Sequence, residues 1–451
     1  MSHVANVCYP DTKRAANRKI DTQGGTDIEF ATIKVARGIG GRTQMVNRDF
    51  SFAGTYQNGL QVVEISNPRQ PRLVATYDCD LSQGDVQTFA RDGRTYVTYT
   101  NDYDGVDSAC FRDLGITGGE LPTGTLVIDV TRPSAPRSVG FVEVPAGSHN
   151  QTVHPNGRVM YNSNSERTPQ GLEVIDLTNL KPPKIASRLQ LVSGNEAHDI
   201  TFSQDGNRAY VAALSHTLVL DTSRPFKPEI IGGIIDPSVT LHHQSDPVTV
   251  DGREFLIVND ELNGAAGNGY CPGGGLHVYD ITGDLERSPV KVGAFFAPDI
   301  NVQEGAPTGT AGLTSCTAHV FDIYEKQGLL TIAWFAGGVR VVDLSDLVGV
   351  SAGADPTGSV GAGMKEVGHF RFVADHDTWA AKVNKFARDG SAYIFSNDQT
   401  RGLDVFRYDS AAPKPSKKGR WMTPAQALER AERLRADPDF DAPDSPVCVI
   451  G

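Results

Sequence analysis

The stretch GLEVIDLTNLKPPKIASRLQL at residues 171–191 carries the pattern that decides the fold. An alternating apolar run ends at an aspartate, a polar segment with prolines follows, and a second alternating run completes the unit. Alternation with a period of two is typical of β-strands, and proline in the intervening segment indicates a turn. The stretch therefore predicts two neighbouring antiparallel strands.

The same pattern returns along most of the chain. Further copies begin at Gly59, Gly124, His216, Gly275 and Gly338, and another, RGLDVFRYD at residues 401–409, stops at its aspartate. Self-similarity at a period of about 45 residues is typical of propellers and solenoids, in which each small sheet packs on its neighbours. The seven copies predict an all-β fold, a seven-bladed β-propeller over residues 27–410.

Each unit contains room for four strands. In one of them, residues 198–203 are the predicted innermost strand, and 208–213, 217–221 and 229–235 follow outward. The last unit lacks its outer strand, and Asp27–Val35 alternates without inner strands of its own. We therefore predict that this N-terminal strand pairs beside Gly402–Tyr408 and closes the ring, since closure removes exposed sheet edges. Residues 1–26 are then an N-terminal arm, and 411–451 a linker, a short helix and a C-terminal tail.

The repeat resembles that of a known family. The segments GLEVIDLTNLKPP and GTLVIDVTRPSAP are similar to the LVIVD-repeat β-propellers, and the resemblance covers roughly Asp27–Asp409. It implies the propeller fold and leaves function open, because one fold carries many functions.

Histidines recur where the innermost strands begin. Five consecutive units place one there, namely His149, His198, either His242 or His243, His319 and His376, and the matching positions of the first two units are Gln44–Asn47 and Gln83–Asp85. Innermost strands surround the axis of a propeller, so these imidazoles are expected to converge. Imidazole and carboxylate groups are suitable ligands for Fe, Cu, Mn or Zn. A transition-metal cofactor is therefore predicted, and the arrangement is similar to carotenoid-cleavage oxygenases and to the selenium-binding protein and methanethiol oxidase family. In the alternative interpretation, each imidazole only bonds a neighbouring blade's backbone.

The predicted function is a metal-dependent enzyme, an oxidoreductase that acts on a small organic substrate. Glu196, Asp246 and Glu304 are its candidate acid–base or metal-supporting groups. A lyase or isomerase at the same site is the alternative within the enzyme class. A non-catalytic propeller that binds a protein or small molecule on this face is the other alternative.

Loops that follow the second strands are expected on the histidine face. They include Tyr99–Gly105, Asn162–Thr168, Val258–Gly264 and Ser396–Gly402, whose Asn and Asp side chains commonly satisfy turn backbone. Long loops on a rigid scaffold often carry function, so the histidine face is the predicted active face.

Charge and cysteine content limit the partners and the compartment. The net charge of −12 argues against nucleic acid as the main partner, and no apolar run is long enough to predict membrane insertion. Cysteine positions predict the disulfides Cys79–Cys110 and Cys271–Cys316, with Cys8 and Cys448 remaining. Such pairing indicates a secreted or periplasmic protein, whereas the missing signal peptide indicates the cytoplasm. The oligomeric state is left open.

Overall fold

The computed structural model describes most of the chain. The described residues are 1–10, 23–39, 42–105, 107–118, 122–164, 171–191, 197–261, 274–297, 317–350, 363–373, 376–412 and 420–436. They form seven antiparallel sheets, each a meander of four strands with one added strand in the fifth. This arrangement confirms the predicted seven-bladed β-propeller.

The strand bounds follow the chain from the axis outward in each blade. The first strand, β1 (Ser2–Val7), belongs to the last blade. The first blade contains β2 (Gly25–Ile39), β3 (Arg42–Thr55), β4 (Leu60–Glu64) and β5 (Arg72–Tyr77), and the second contains β6 (Leu81–Arg91), β7 (Arg94–Gly105), β8 (Gly124–Asp129) and β9 (Arg137–Glu143). The third blade contains β10 (Asn150–Val153), β11 (Val159–Ser163), β12 (Gly171–Asp176) and β13 (Lys184–Gln190). The fourth contains β14 (Asp199–Phe202), β15 (Arg208–Ala212), β16 (Thr217–Asp221) and β17 (Glu229–Ile234).

The remaining three blades repeat this order. The fifth blade contains β18 (His242–Val250), β19 (Arg253–Asp260), β20 (Leu276–Asp280) and β21 (Val290–Phe296). The sixth contains β22 (Phe321–Tyr324), β23 (Leu329–Ala333), β24 (Val339–Asp346) and β25 (Gly363–Phe370). The seventh contains β26 (Thr378–Phe386), β27 (Ala392–Asp398) and β28 (Gly402–Tyr408), together with β1. Short 3₁₀ turns cover Gly283–Arg287, Glu325–Gln327 and Leu347–Gly349, and the helix α1 covers Ala109–Arg112. Among the described residues no helix is long and apolar enough to cross a membrane.

An N-terminal strand closes the ring, but it is not the predicted one. Strand β1 pairs antiparallel with β28, with Val7 opposite Leu403, so Ser2–Val7 is the outer strand of the seventh blade. The predicted closing segment, Asp27–Val35, lies inside β2 and forms the innermost strand of the first blade with β3. The prediction was wrong because both segments alternate and only long-range pairing distinguishes them. The expected arm over residues 1–26 thus contains a blade strand.

The core lies between the faces of neighbouring blades. The central strands are buried on both faces, which explains their continuous apolar runs such as LVID at residues 126–129. Between the fifth and sixth blades, Phe255, Phe321 and Trp334 belong to one buried cluster. Such packing on both sides fixes the innermost strands, and therefore the residues that line the axis.

The segment after the propeller covers an outer edge. Strand β29 (Arg420–Met422) pairs with β21 and extends the fifth blade. The helix α2 (Pro424–Ala436) follows, and the Thr423 hydroxyl accepts a hydrogen bond from the backbone N–H of Gln426 at 3.2 Å, as an N-cap does. Its Ala427 packs with Ala294 and Phe296 of β21. The expected helix on the outside of the propeller is therefore present.

Candidate metal centre on the propeller axis

Four imidazoles form a continuous row around the axis. His149, His198, His243 and His319 come from the third to sixth blades, and successive ring centres are 4.6, 4.3 and 4.4 Å apart. All four side chains are buried. We call these four residues the imidazole row. The sequence prediction that blade histidines converge is correct for this set.

Backbone pairing at the start of each innermost strand places these rings. The N–H groups of His149, His198 and His319 donate to the last residue of the neighbouring second strand, at 2.9, 2.7 and 3.0 Å. In the fifth blade the register of β18 shifts between His242 and Gln244, so His243 is the bulged residue. The bulge turns His243, rather than His242, toward the row.

The Nδ1 atoms of the row are held by the surrounding protein. His149 Nδ1 lies 2.9 Å from Asp102 Oδ2, His198 Nδ1 3.2 Å from the carbonyl of His243, and His319 Nδ1 2.7 Å from the carbonyl of Trp379. A carbonyl only accepts, so Nδ1 carries the proton in His198 and His319. Nε2 is then the atom that carries the lone pair. In His198, which is 2% exposed, Nε2 has no hydrogen-bond partner among the described residues.

A buried carboxylate meets the row. Glu261, 1% exposed, places Oε2 3.4 Å from His243 Nε2 and Oε1 3.8 Å from His319 Nε2. One ligand atom from each of these three residues lies within 4.8 Å of the others, which is the spacing of a metal site. Two histidines and one carboxylate are a donor set typical of non-haem iron centres. The group could hold a metal ion.

The spacing of the rings also fits metal ligation. Two imidazoles bound at right angles to one ion at about 2.1 Å would have ring centres about 4.6 Å apart. The observed separations of 4.3–4.6 Å are close to this value. Because Nε2 of His198 also lacks a hydrogen-bond partner among the described residues, His198 is a candidate third imidazole ligand.

Burial keeps the row neutral. Desolvation lowers the pKa values of His198 and His243 well below the ordinary range, and neighbouring imidazoles lower them further. Burial also lowers the pKa of His319 to about 3. At neutral pH these residues therefore offer lone pairs, and protons do not compete with a metal.

Beside the row lies a cavity of about 250 Å³ along the axis, which we call the acidic chamber. His149, His243, His319 and Trp379 form part of its wall. Six carboxylates and one ammonium also line it, namely Asp27, Glu29, Asp85, Asp199, Asp246, Asp322 and Lys382. Every blade except the third contributes one of these charges, and the third contributes Asn150, Gln151 and Thr152.

Burial strongly perturbs the carboxylates of the chamber. It raises the pKa of Asp246 to about 7, and the negative charges of Asp199 and Asp322 add to the shift. A hydrogen bond from Thr201 acts in the opposite direction and lowers this pKa. Burial likewise raises the pKa of Asp199 to about 6 and that of Glu29 to about 7. Burial alone would lower the pKa of Lys382, but adjacent carboxylates hold it well above its ordinary value.

Two predicted ligands lie outside the row. His242 Nδ1 is 2.8 Å from the Thr217 hydroxyl, and its backbone bridges Leu214. His376 Nε2 is 2.8 Å from the carbonyl of Ala336. Of the alternatives His242 and His243, the structure thus places His243 in the row, and the bulges in β18 and β26 set side-chain directions that the sequence does not show.

Trp379 takes the place expected for His376. The register of β26 shifts between Thr378 and Ala380, so Trp379 is the bulged residue of the seventh blade, as His243 is of the fifth. Its ring centre lies 4.6 Å from that of His319. The row therefore ends on an indole, which no feature of the sequence had indicated.

The other predicted positions divide into three groups. Asp246 lies in the acidic chamber, and Glu196 and Glu304 lie outside the described residues. In the second blade the predicted Gln83 contacts the row, with Nε2 3.3 Å from His149 Nε2. In the first blade Gln44–Asn47 was wrong, because these residues lie in β3 and the axis receives Asp27 and Glu29 from β2.

Sequence reasoning missed Glu261 and Asp102. Both lie where second strands end, in loops that had been assigned to the histidine face, but neither residue was singled out. The signal available was the acidic residue in TND at 100–102 and in NDE at 259–261.

The predicted Cys79–Cys110 disulfide is not formed. Cys8, Cys79 and Cys110 are free thiols, although Cys79 and Cys110 are buried neighbours as expected. Burial raises the pKa of Cys79 well above its ordinary value, and a hydrogen bond with Cys110 adds to the effect. Cys271, Cys316 and Cys448 lie outside the described residues.

The fold and the axial cluster define a seven-bladed β-propeller with a buried histidine–carboxylate site. A model of the LVIVD repeat matches residues 45–79, which span most of the first blade. With the ring of seven sheets, this match supports the resemblance to LVIVD-repeat β-propellers, and it places one LVIVD repeat in the first blade. The analogy with metal-binding propellers is not addressed by this match and stays a prediction.

Solved structures show the same fold at low sequence identity. Hydrazine synthase of Kuenenia stuttgartiensis has a TM-score of 0.50 at 13% identity, over 88% of this chain and 98% of that chain. The β-propeller domain of Cps50 (Swd1) from Myceliophteria thermophila has a TM-score of 0.51 at 10% identity, over 80% of this chain and 93% of that chain. No curated protein matches the chain. At these identities the likeness shows the fold alone.

Proposed function

We propose that the protein is a metal-dependent oxidoreductase that acts on a small organic substrate at the propeller axis. The observation that carries the proposal is the convergence of His243, His319 and Glu261, with the ring centre of His198 4.3 Å from that of His243. Three blades supply these groups through rigid strand ends, and a purely structural histidine would have no need of a shared focus. His243 and His319 also line the adjoining cavity of about 250 Å³, which gives a substrate access to these two residues.

The donor set limits the metal. Neutral imidazoles and one carboxylate suit Fe, Cu, Mn or Zn, and no thiolate lies among the candidate ligands. When bound, such an ion supplies redox or Lewis-acid chemistry at a position that its three or four protein ligands leave open. Glu261 offers the one negative charge, which offsets part of the cost of a buried cation.

The chain's own residues supply the rest of the site. Asp102 orients His149, and the carbonyls of His243 and Trp379 orient His198 and His319, so that Nε2 of each ring carries the lone pair. Asp246, whose pKa is raised to about 7, can exchange a proton with a substrate in the chamber near neutral pH. Trp379 forms an apolar wall beside His319.

The same Asp246 supports a second candidate function. A carboxyl group that titrates near neutrality is suited to acid–base chemistry without net oxidation. A lyase or isomerase at the same metal site is therefore the alternative.

Elemental analysis tests the proposal directly. Protein purified without chelator or affinity-tag metal is expected to hold about one transition-metal ion per chain. The variant His243→Ala should lose most of that metal, whereas His216→Ala, a half-buried histidine bonded to Ser215 away from the row, should retain it. Wild-type protein at background metal content, also after incubation with Fe(II), Mn(II), Zn(II) or Cu(II), would contradict the proposal.

A further inference from the structure

The acidic chamber contains more carboxyl groups than cations among its described lining residues. Its one cation, Lys382, lies 2.8 Å from both Asp27 Oδ1 and Glu29 Oε1. The other four carboxylates, Asp85, Asp199, Asp246 and Asp322, form no ion pair with a lysine or arginine among the described residues. Buried carboxylates are normally paired with cations or neutralised. The chamber is therefore complementary to a positively charged guest.

A buried amide gives independent evidence of a guest. Gln151 is 1% exposed and lines the chamber. Its Nε2 donates to Asp85 Oδ2 at 2.8 Å, and its backbone N–H donates to the same oxygen at 3.1 Å, so the amide is held in one orientation. Its Oε1 has no hydrogen-bond partner in the described part of the chain. Buried acceptors are rarely left unsatisfied, so this oxygen calls for a donor that the described residues do not supply.

The spacing of the carboxylates favours a molecule over a bare ion. Within the described residues, the one set of three acidic, histidine or cysteine ligands whose atoms lie within 4.8 Å of one another is that of His243, Glu261 and His319. The chamber carboxylates are therefore too far apart for three of them to bind one ion directly. An organic cation with several N–H donors can bridge such distances, and about 250 Å³ is room for a small molecule.

The walls supply an apolar surface as well. Ile200, Val320, Phe321 and Trp379 also line the chamber. A short hydrocarbon chain can pack on these side chains, and the face of Trp379 is suited to a cationic group. The chamber thus combines acceptors for an ammonium group with a surface for its apolar part.

We propose that the acidic chamber binds a small organic cation, a primary amine or guanidinium compound, through Asp85, Asp246, Asp322 and the free Gln151 oxygen. His149, His243 and His319 of the row line this chamber, so a bound cation would lie beside the metal centre. That this cation is the substrate of the metal centre rests on the proposed function. The binding itself does not depend on the metal.

A matched ligand series tests the binding. Calorimetric titration with n-butylamine, 1-butanol and butyrate compares a cation, a neutral molecule and an anion of nearly equal size. The amine is expected to bind at least tenfold more tightly than the alcohol, and butyrate should not bind. Equal binding of amine and alcohol, or displacement of the amine by equimolar calcium chloride, would overturn the proposal.

Variants locate the binding within the chamber. Asp246→Asn and Asp322→Asn each remove one charge without changing shape, and each should weaken amine binding at least tenfold. Asp92→Asn, an exposed carboxylate on a turn outside the chamber, should leave it unchanged. Unchanged affinity in both chamber variants, with native circular dichroism and melting, would overturn the assignment.

Metal analysis of the same samples separates the two proposals. Wild-type protein that holds metal but binds no amine would refute the organic-cation site and leave the metal centre intact. Amine binding by protein that holds no metal would support the cation site and contradict the proposed oxidoreductase.

Discussion

The imidazole row and the acidic chamber adjoin on one axis, yet burial affects their pKa values in opposite directions. It lowers that of His319 to about 3 and raises that of Asp246 to about 7. In both places desolvation disfavours the charged form. The row therefore presents neutral lone pairs that suit a metal, whereas the chamber holds acidic groups whose ionisation a bound cation would stabilise. One scaffold thus creates two adjacent sites of different chemistry.

The largest expected effect comes from opening the ring that both sites share. Deletion of residues 1–8 removes β1 from the seventh blade, exposes the edge of β28 and should yield aggregated or unfolded protein. Size-exclusion chromatography and thermal melting measure the outcome. A peptide of residues 1–9 added in trans should restore soluble protein, and a scrambled peptide should not. A monomeric deletion variant with unchanged melting would refute closure by β1.

A smaller effect is expected from a substitution that removes one hydrogen-bond partner of the imidazole row. Asp102→Asn keeps the size of the side chain but removes the carboxylate that accepts from His149 Nδ1. If His149 supports the metal centre, metal affinity should fall roughly 10- to 100-fold, as for outer-shell partners of metal ligands in other proteins. Amine binding in the chamber should change little. Competition with a chelator of known affinity measures the first quantity, and unchanged metal affinity would exclude His149 from the centre.

Much of the fold followed from the sequence because the repeat is local. The unit at residues 171–191 forms β12 and β13, as its alternation predicted. The sequence could not show whether Ser2–Val7 or Asp27–Val35 is the closing strand, since both segments alternate. Ser2–Val7 pairs with β28, which lies hundreds of residues away in the chain, whereas Asp27–Val35 pairs with β3 across one turn. Local pattern predicts strands, and pairing between distant segments requires the structure.

The candidate site, like the fold, could be predicted only in part from the sequence. His149, His198 and His319 begin regular strands, so position alone placed them on the axis. The choice of His243 over His242 depends on a β-bulge, and one extra residue reverses which side chain faces the axis. The chamber carboxylates come from five blades, so their convergence became visible only with the blade register.

The smallest expected effect concerns the chamber and pH. The pKa of Asp246 is about 7 in the folded protein and about 4 when unfolded, so the folded state binds more protons between these values. Stability is therefore expected to decrease as pH rises from about 4 to 7. Asp246→Asn should remove this loss and stabilise the metal-free protein at pH 8. The expected gain in the free energy of unfolding is about 1–2 kcal/mol, which is less than an isolated group with this pKa shift would give, because neighbouring carboxylates share the protons.

Denaturant unfolding at pH 4 and pH 8 measures this difference. At pH 4 Asp246 is protonated in the fold, and the variant and wild type should have nearly equal stability. The exposed Asp92→Asn serves as the control at both values. A variant that is less stable than wild type at pH 8 would show that the ionised carboxylate stabilises the fold, contrary to this account.

The most direct test of the metal centre compares single and double replacement in the row. His198 and His319 lie on either side of His243, and ligands of one ion act as a unit. Metal content should fall from about one ion per chain to background in His198→Ala and in His319→Ala, and the double variant should lose little more. Wild-type protein without metal, combined with additive stability losses of about 1–3 kcal/mol for each histidine, would show separate structural residues and contradict the account.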